Sequence, residues 1–213
     1  MREAKKIIST LKLRYNESMK YPQLYQQFDQ WVKIPQDQWL AFETKLVEKS
    51  LNKGDFLLKS GEKALEFGFV LKGLFRLYYT EESGKEQIKA FRKEGDLIGA
   101  YAEILLKIPS RTYVQAMDAS RVVMLKNDDF LPFYEKHSCW LNLGRIVAEK
   151  HFLAKEQREF EFLQMDVLEK YHKFCEDFSS LIGKIPQHQI ASYLGITPVA
   201  LSRVLSKSRK KSI

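Results

Sequence analysis

Cysteine is nearly missing from this 213-residue chain, which carries Cys139 and Cys175 and no others. Two thiols so far apart exclude a disulfide framework, a CxxC motif and an iron–sulfur cluster held by cysteines alone. A reducing, cytoplasmic setting is expected. No apolar run reaches the roughly 18 residues of a membrane helix, so no membrane partner is expected. The opening MREAKKIISTLKLRYNESMK has no continuous apolar segment and no A-x-A site, and is not read as a secretory signal. Glycine is scarce outside one stretch: seven of the ten lie between Gly54 and Gly99. Acidic residues are missing altogether from Lys184 to Ile213, where Lys184, Arg203, Lys207, Arg209, Lys210 and Lys211 carry +6 of the chain's net +8. A terminus of one sign is either a surface for a polyanion or a solubilising tail.

What is present describes an ordinary globular protein, 45% apolar and 29% charged. Four regions differ in character. In residues 1–50, Leu24, Phe28, Trp31, Trp39, Phe42 and Leu46 recur at helical spacing, which predicts amphipathic helices broken near Pro35, with one more short helix in residues 1–20. Residues 51–127 alternate glycine with the short apolar runs DFLLK, FGFVLKG, LFRLYYT, EQIKAF, DLIG, TYVQAM and RVVMLK, the pattern of a β-sandwich or jelly-roll barrel. Glu81–Gly84 reads as a hairpin turn, with Gly84 supplying a positive φ. In residues 128–178, Asp128 and Asp129 are expected to cap a helix through FLPFYEKH. A longer helix then starts near Ser138, in which Ile146, Leu153, Phe160 and Val167 lie seven apart. Such a seam suits a helix packed partly on its own barrel and partly on a twin; a plain amphipathic helix in a monomer is the alternative. Residues 179–213 form the last unit.

That unit reads PQHQIASYLGITPVALSRVLSKSRKK from Pro186. Ile190, Ala191 and Leu194 give one short helix an apolar face, and Gly195 stands at the C′ position, where glycine tolerates the left-handed conformation. Thr197 is placed at an N-cap and Pro198 at the first helical position. Leu201, Val204 and Leu205 make the second helix's inner face. This is helix–turn–helix spacing. The opposite face shows Val199, Ser202, Arg203 and Ser206: arginine can fork onto guanine, serine is an adaptable partner, and valine can meet a thymine methyl. An αα-hairpin without DNA binding is the competing reading, and the coincidence of motif, caps and acid-free charge weighs against it.

At this point the chain resembles, from about Leu51 to Lys207, the Crp/Fnr family of bacterial transcription regulators. IASYLGITPVALSR is similar to the family's helix–turn–helix, most of all in Bacteroidetes-type members. KGDFLLKSGEKALEFGFVLKGLFRLYY resembles the start of its cyclic-nucleotide-binding barrel, and GDLIG followed by PSRTYVQAMDAS resembles its phosphate-binding cassette. The resemblance implies an α+β fold: a jelly-roll barrel of the cyclic-nucleotide-binding type, a long dimerisation helix, and a C-terminal helix–turn–helix with little or no wing. It implies a non-enzymatic homodimer. The barrel would sense an effector, and the C-terminal domain would read a palindromic operator on double-stranded DNA, with RNA polymerase a further candidate partner. The implied DNA contacts are Gln187, His188, Thr197, Val199, Ser202, Arg203, Ser206, Lys207, Arg209, Lys210 and Lys211. The implied dimer contacts are Leu143, Ile146, Leu153 and Phe160. The effector cassette would comprise Gly99, Ala100, Tyr101, Glu103, Ser110, Arg111 and Thr112.

Three departures matter. Members that bind cyclic AMP carry Glu directly after the cassette glycine, for the ribose; here Ala100 stands there, and Glu103 is not equated with it. The family's Arg–Ser/Thr pair is present as Arg111-Thr112, but Tyr113 replaces a small residue. Arg111 suits an anion, or equally a structural pair with a barrel carboxylate. No cofactor is assigned; an anionic effector fits an altered pocket, and cyclic AMP is not favoured. Second, many relatives have Glu where Val199 stands, and valine cannot accept from cytosine. Third, the chain ends SKSRKKSI where relatives often continue into a wing. Other classes fare worse. The four histidines, His137, His151, His172 and His188, all lie outside residues 51–127, which excludes a histidine-ligated metal in the barrel. No P-loop, G-x-S-x-G or G-x-G-x-x-G occurs. A cyclic-nucleotide-binding signalling protein without DNA binding, and an interaction protein whose barrel has lost its ligand, remain as alternatives.

Overall fold

The computed structural model describes residues 19–211; the helix expected in residues 1–20 falls almost wholly outside them. Helix α1 (Pro22–Trp31) and α2 (Gln36–Glu43) flank Pro35 and bury Leu24, Phe28, Trp39 and Phe42. The helical reading extended to Leu46, but α2 ends at Glu43. Leu46 is buried in the turn that follows, and its N–H bonds the Glu43 carbonyl at 3.2 Å.

Eight strands follow: β1 (Val47–Leu51), β2 (Phe56–Leu58), β3 (Glu66–Lys72), β4 (Leu74–Thr80), β5 (Glu86–Lys93), β6 (Leu97–Gly99), then, after helix α3 (Tyr101–Leu106), β7 (Tyr113–Ala116) and β8 (Ser120–Lys126). Seven coincide with the apolar runs. The other, β1, is polar (VEKSL) and mostly exposed, which hid it from a reading by apolar content. The β4–β5 hairpin turns at Glu81–Gly84, with Gly84 at φ +81° and its N–H on the Glu81 carbonyl at 2.9 Å. Two antiparallel sheets result, ordered β1-β8-β3-β6 and β2-β7-β4-β5.

Side chains alternate across each strand, so one strand serves two cores. Val70, Val122 and Met124 join Phe75, Leu77 and Val114 between the sheets. Phe67, Phe69, Val123 and Leu125 point the other way and pack against the helices. The first sheet is therefore buried on both faces, which is why β3 and β8 read as continuous apolar runs. Backbones approach closely there: a Cβ on Gly68 would lie 2.0 Å from the Val123 carbonyl oxygen. The outer face of the second sheet, through Leu74, Tyr78, Ile88 and Phe91, packs against the C-terminal helices.

After β8 come α4 (Asn127–Phe130) and α5 (Phe133–Lys136). Asp128 and Asp129 do not cap this segment as expected. Strand β8 runs directly into α4, no side chain caps it, and both aspartates sit in its first turn. Helix α6 (Ser138–Gln164) is 27 residues long, about 40 Å at 1.5 Å per residue. Its start is anchored by Trp140 and Leu143, packed with Phe42 and Phe133 in the helix-side core. Leu143, a candidate for a dimer seam, points instead into the core of its own chain. Farther along, Leu153 is 63% exposed and Phe160 56%.

The expected third heptad does not exist. Asp166 opens a new helix, α7 (Val167–Asp177), through a capping box: its carboxylate accepts from Leu168 and Glu169 N–H, and Glu169 returns a bond to the Asp166 N–H. Val167 belongs to that helix. A short 3₁₀ turn (Ser179–Leu181) leads to α8 (Gln187–Tyr193) and α9 (Pro198–Lys211). Phe174 of α7 packs with Ile190, Ala191, Leu194 and Leu201, so the C-terminal unit takes in α7 as well as residues 179–213. Among the described residues no strand follows α9, and no helix is long and apolar enough to cross a membrane.

Candidate nucleic-acid interface

The turn between α8 and α9 is built by its own backbone. Gly195 has φ +73°; its N–H bonds the Ser192 carbonyl at 3.0 Å, and the Ile196 N–H bonds the Ala191 carbonyl at 3.0 Å. These are the paired bonds of a Schellman end, and the left-handed residue they require is glycine. Thr197 then caps α9: its Oγ1 accepts from the Ala200 N–H at 3.1 Å. Pro198 follows where no intrahelical donor is lost. Ile190, Ala191, Leu194 and Leu201 are buried, and Val204 and Leu205 half-buried.

The outward face of α9 is exposed at Val199, Ser202, Arg203, Ser206 and Lys207. These positions fall at i, i+3, i+4, i+7 and i+8, one stripe opposite Leu201. Arg203 makes no hydrogen bond or ion pair with the described residues, so its guanidinium fork is free. Ser206 is engaged locally, its hydroxyl donating to the Ser202 carbonyl at 2.9 Å. Gln187 and His188 are exposed on the first turn of α8. Residues 209–211 continue α9, and the side chains of Arg209, Lys210 and Lys211 lie outside the described set.

Helix α8 is docked on the barrel. Strand β5 is a sheet edge, with backbone groups that a neighbouring strand would otherwise satisfy. Ser192 takes that place: its Oγ accepts from the Ile88 N–H at 2.9 Å and donates to the Glu86 carbonyl at 3.2 Å. Beside it, Tyr193 packs on Phe91, Phe174 and Phe178. Arg158 of α6 lies 3.7 Å over the Tyr193 ring and donates to the Tyr193 carbonyl. Burial first, with Glu161 and Asp177 adding and Arg158 and Arg92 opposing, pushes the Tyr193 phenol above its ordinary pKa. None of Ser192, Tyr193 and Arg158 stood out in the sequence; Ser192 lies within the helix–turn–helix motif with nothing to mark it as a barrel contact.

The effector cassette is only partly assembled as expected. Gly99 (φ +134°) packs against β3, Ala100 is buried, and the Tyr101 ring abuts Phe67; these three shape the core. Ser110 is spent on a local turn, accepting from the Thr112 N–H at 3.0 Å and donating to the Thr112 carbonyl at 2.8 Å. Glu103, 1% exposed, is brought to Arg111 and Thr112: its Oε1 lies 3.5 Å from Arg111 Nε and accepts from the Thr112 hydroxyl at 3.5 Å. Its Oε2 has no partner among the described residues. Lys89 completes the group. A register shift in the β4–β5 pair leaves Lys89 without a cross-strand partner, and its Nζ reaches the Thr112 hydroxyl at 3.4 Å. The groups available to hold an anion thus surround a carboxylate of the protein itself. The Arg111 side chain is 63% exposed, with one edge on Glu103.

Comparison with known proteins fits this architecture. Residues 48–137 match the cyclic nucleotide-binding domain, a span that runs from β1 through α5. Over 178 residues the chain is 28% identical to the fumarate and nitrate reduction regulatory protein of Yersinia pestis, covering 78% of this chain and 70% of that one. In fold it is similar to FixK2 from Bradyrhizobium japonicum, with a TM-score of 0.63 at 20% identity, covering 79% and 86% of the two chains. A Crp/Fnr-family structure from Eubacterium rectale gives 0.66 at 15% identity, covering 84% and 85%. The chain carries a cyclic nucleotide-binding domain, and it is similar in sequence and fold to Crp/Fnr transcription regulators. The barrel of this chain begins at Val47, and its helix–turn–helix is seated against the β5 edge of that barrel.

Proposed function

We propose that the chain acts as a homodimer whose α9 enters the major groove of a palindromic operator. The observation that carries this reading is the exposed, unpaired stripe Val199–Ser202–Arg203 on a helix whose opposite face is fixed by Leu201 and whose first turn is capped by Thr197. Arg203 would fork onto guanine, Val199 would meet a thymine methyl, and Gln187, His188, Lys207 and residues 209–211 would contact phosphates. Ser206, held back on its own helix, would contribute less to base reading than Ser202. Dimerisation would run along Ile146, Leu153 and Phe160, and two-fold symmetry would place the paired helices about 34 Å apart. Within the family we read IASYLGITPVALSR as the helix–turn–helix of Bacteroidetes-type members, and RNA polymerase as the partner in any activation.

The cassette supports a regulator that does not answer to cyclic AMP. Ala100 offers no acceptor to a ribose, and Glu103 presents a negative charge where a cyclic phosphate would have to sit. Selection of the purified protein against a random double-stranded DNA pool tests the function. Enrichment of an inverted repeat with half-sites one helical turn apart is expected; failure to enrich any sequence would contradict it.

A further inference from the structure

A cavity of about 270 Å³ opens between the barrel and α6, and none of its lining residues belongs to the cassette or to α9. Gln27 and Trp31 of α1, Arg92 of β5, Asp96 of the β5–β6 turn, and Lys150 and His151 of α6 line it. Three groups that are cationic or can become so therefore converge from two elements distant in sequence. None has an ion-pair partner among the described residues. Arg92 gives one N–H to the carbonyl of its neighbour Phe91 at 3.3 Å. Lys150 Nζ stands 4.9 Å over the Trp31 ring. The one carboxylate present, Asp96, is engaged by the Lys93 N–H at 2.8 Å.

We propose that this cavity binds a small phosphate-bearing molecule, with Arg92 and Lys150 on the phosphate oxygens and His151 as a third donor. A guanidinium presents two parallel N–H groups to two oxygens of a tetrahedral anion, and an ammonium acts as a point charge on another. Donors approaching from β5 and from α6 suit an anion with oxygens on several sides better than a planar carboxylate. The volume lies below the roughly 300–1,000 Å³ of sites for drug-sized ligands, so the body carried by the phosphate is small. Arg92 also bears on His151. Burial first, then Arg92 and Lys155, hold the His151 imidazole below its ordinary pKa, against the opposing pull of Asp96.

Such a ligand would bridge β5 to α6. It would do so on the strand that holds Ser192, and on the helix just before the exposed Leu153 and Phe160. It would thereby tie the sensing barrel to the helix that leads to the C-terminal unit.

The test is direct binding by the full-length chain, without DNA, so its failure would leave the DNA-reading assignment untouched. Glycerol 3-phosphate and inorganic phosphate are titrated at constant ionic strength against chloride. Calorimetry and amide shifts at Arg92, Asp96 and His151 are followed. Saturable binding is expected. Arg92→Gln and Lys150→Gln should each weaken it roughly ten- to a hundredfold, the loss of one charge-assisted hydrogen bond, while Lys53→Gln on an exposed loop leaves it unchanged. Lys150 is exposed on α6, so its variant carries the comparison if Arg92→Gln does not fold. Absence of saturable shifts at these residues up to roughly 10 mM ligand, weaker than any useful phosphate site, would overturn the proposal. So would binding that Lys150→Gln leaves as tight as wild type.

Discussion

The Ile88 N–H donates to Ser192 Oγ across 2.9 Å, and this bond fastens the first helix of the helix–turn–helix to the edge strand of the barrel. The same hydroxyl donates to the Glu86 carbonyl, so one small side chain satisfies two groups on the free edge of β5. Ser192→Ala removes both bonds and leaves a buried N–H without a partner, at a cost of about 1–3 kcal/mol to the docked arrangement. Hydrogen exchange checks this: the Ile88 amide should lose protection while core amides such as that of Val123 keep theirs. Unchanged protection at Ile88 would show that the packing of Tyr193 and Phe91 suffices alone.

The exposed part of α6 predicts self-association. Leu153 and Phe160 show most of their surface to solvent, whereas Trp140 and Leu143 on the same helix are buried. Phe160→Glu would place a charge on that apolar face and shift the protein toward monomer in light scattering. A wild-type chain that is monomeric at micromolar concentration would refute the seam.

The cassette predicts a null titration. A missing ribose acceptor at Ala100 corresponds to a loss on the order of 1.5–3 kcal/mol, ten- to a hundredfold in affinity, and the Glu103 carboxylate beside Arg111 opposes a second anion. Calorimetry with cyclic AMP should give no low-micromolar dissociation constant; finding one would mean that Glu103 moves aside.

His151 predicts a pH effect. Its folded-state pKa is depressed, by burial first and then by Arg92 and Lys155, with Asp96 opposing. The unfolded chain therefore binds this proton more readily than the native one. The native advantage is fully present above the unfolded pKa of about 6.5 and is lost as pH falls through that value toward the folded one. His151→Gln should flatten the stability profile below about pH 6.5. Identical slopes for variant and wild type across chemical denaturation series would contradict the assignment.

Much of this architecture is written locally. Glycine punctuation and apolar runs mark seven strands because each turn needs a special φ and each inward face needs apolar side chains. The β1 strand escapes because VEKSL pairs by backbone at an exposed edge. The break after Gln164 is written in the sequence as Asp166 and Glu169, a capping box that the heptad spacing across it masks. The helix–turn–helix is legible almost residue by residue, since Gly195, Thr197 and Pro198 act on their own backbone. The Ser192 tether, the burial of Glu103 and the gathering of Arg92 with Lys150 are not legible, because each depends on which distant surfaces meet.

The most direct test of the central claim is the affinity of wild type and Arg203→Ala for a selected operator and for scrambled DNA over a salt series. A bidentate arginine–guanine contact contributes about 1–3 kcal/mol of discrimination. Arg203→Ala should therefore weaken operator binding by that amount while leaving scrambled DNA nearly as well bound. Removal of residues 209–213 should instead weaken both and reduce the log–log salt slope by about 0.9 per lost phosphate contact. An equal loss on operator and scrambled DNA for Arg203→Ala would make Arg203 a phosphate contact and contradict the assignment of α9 as the base-reading helix.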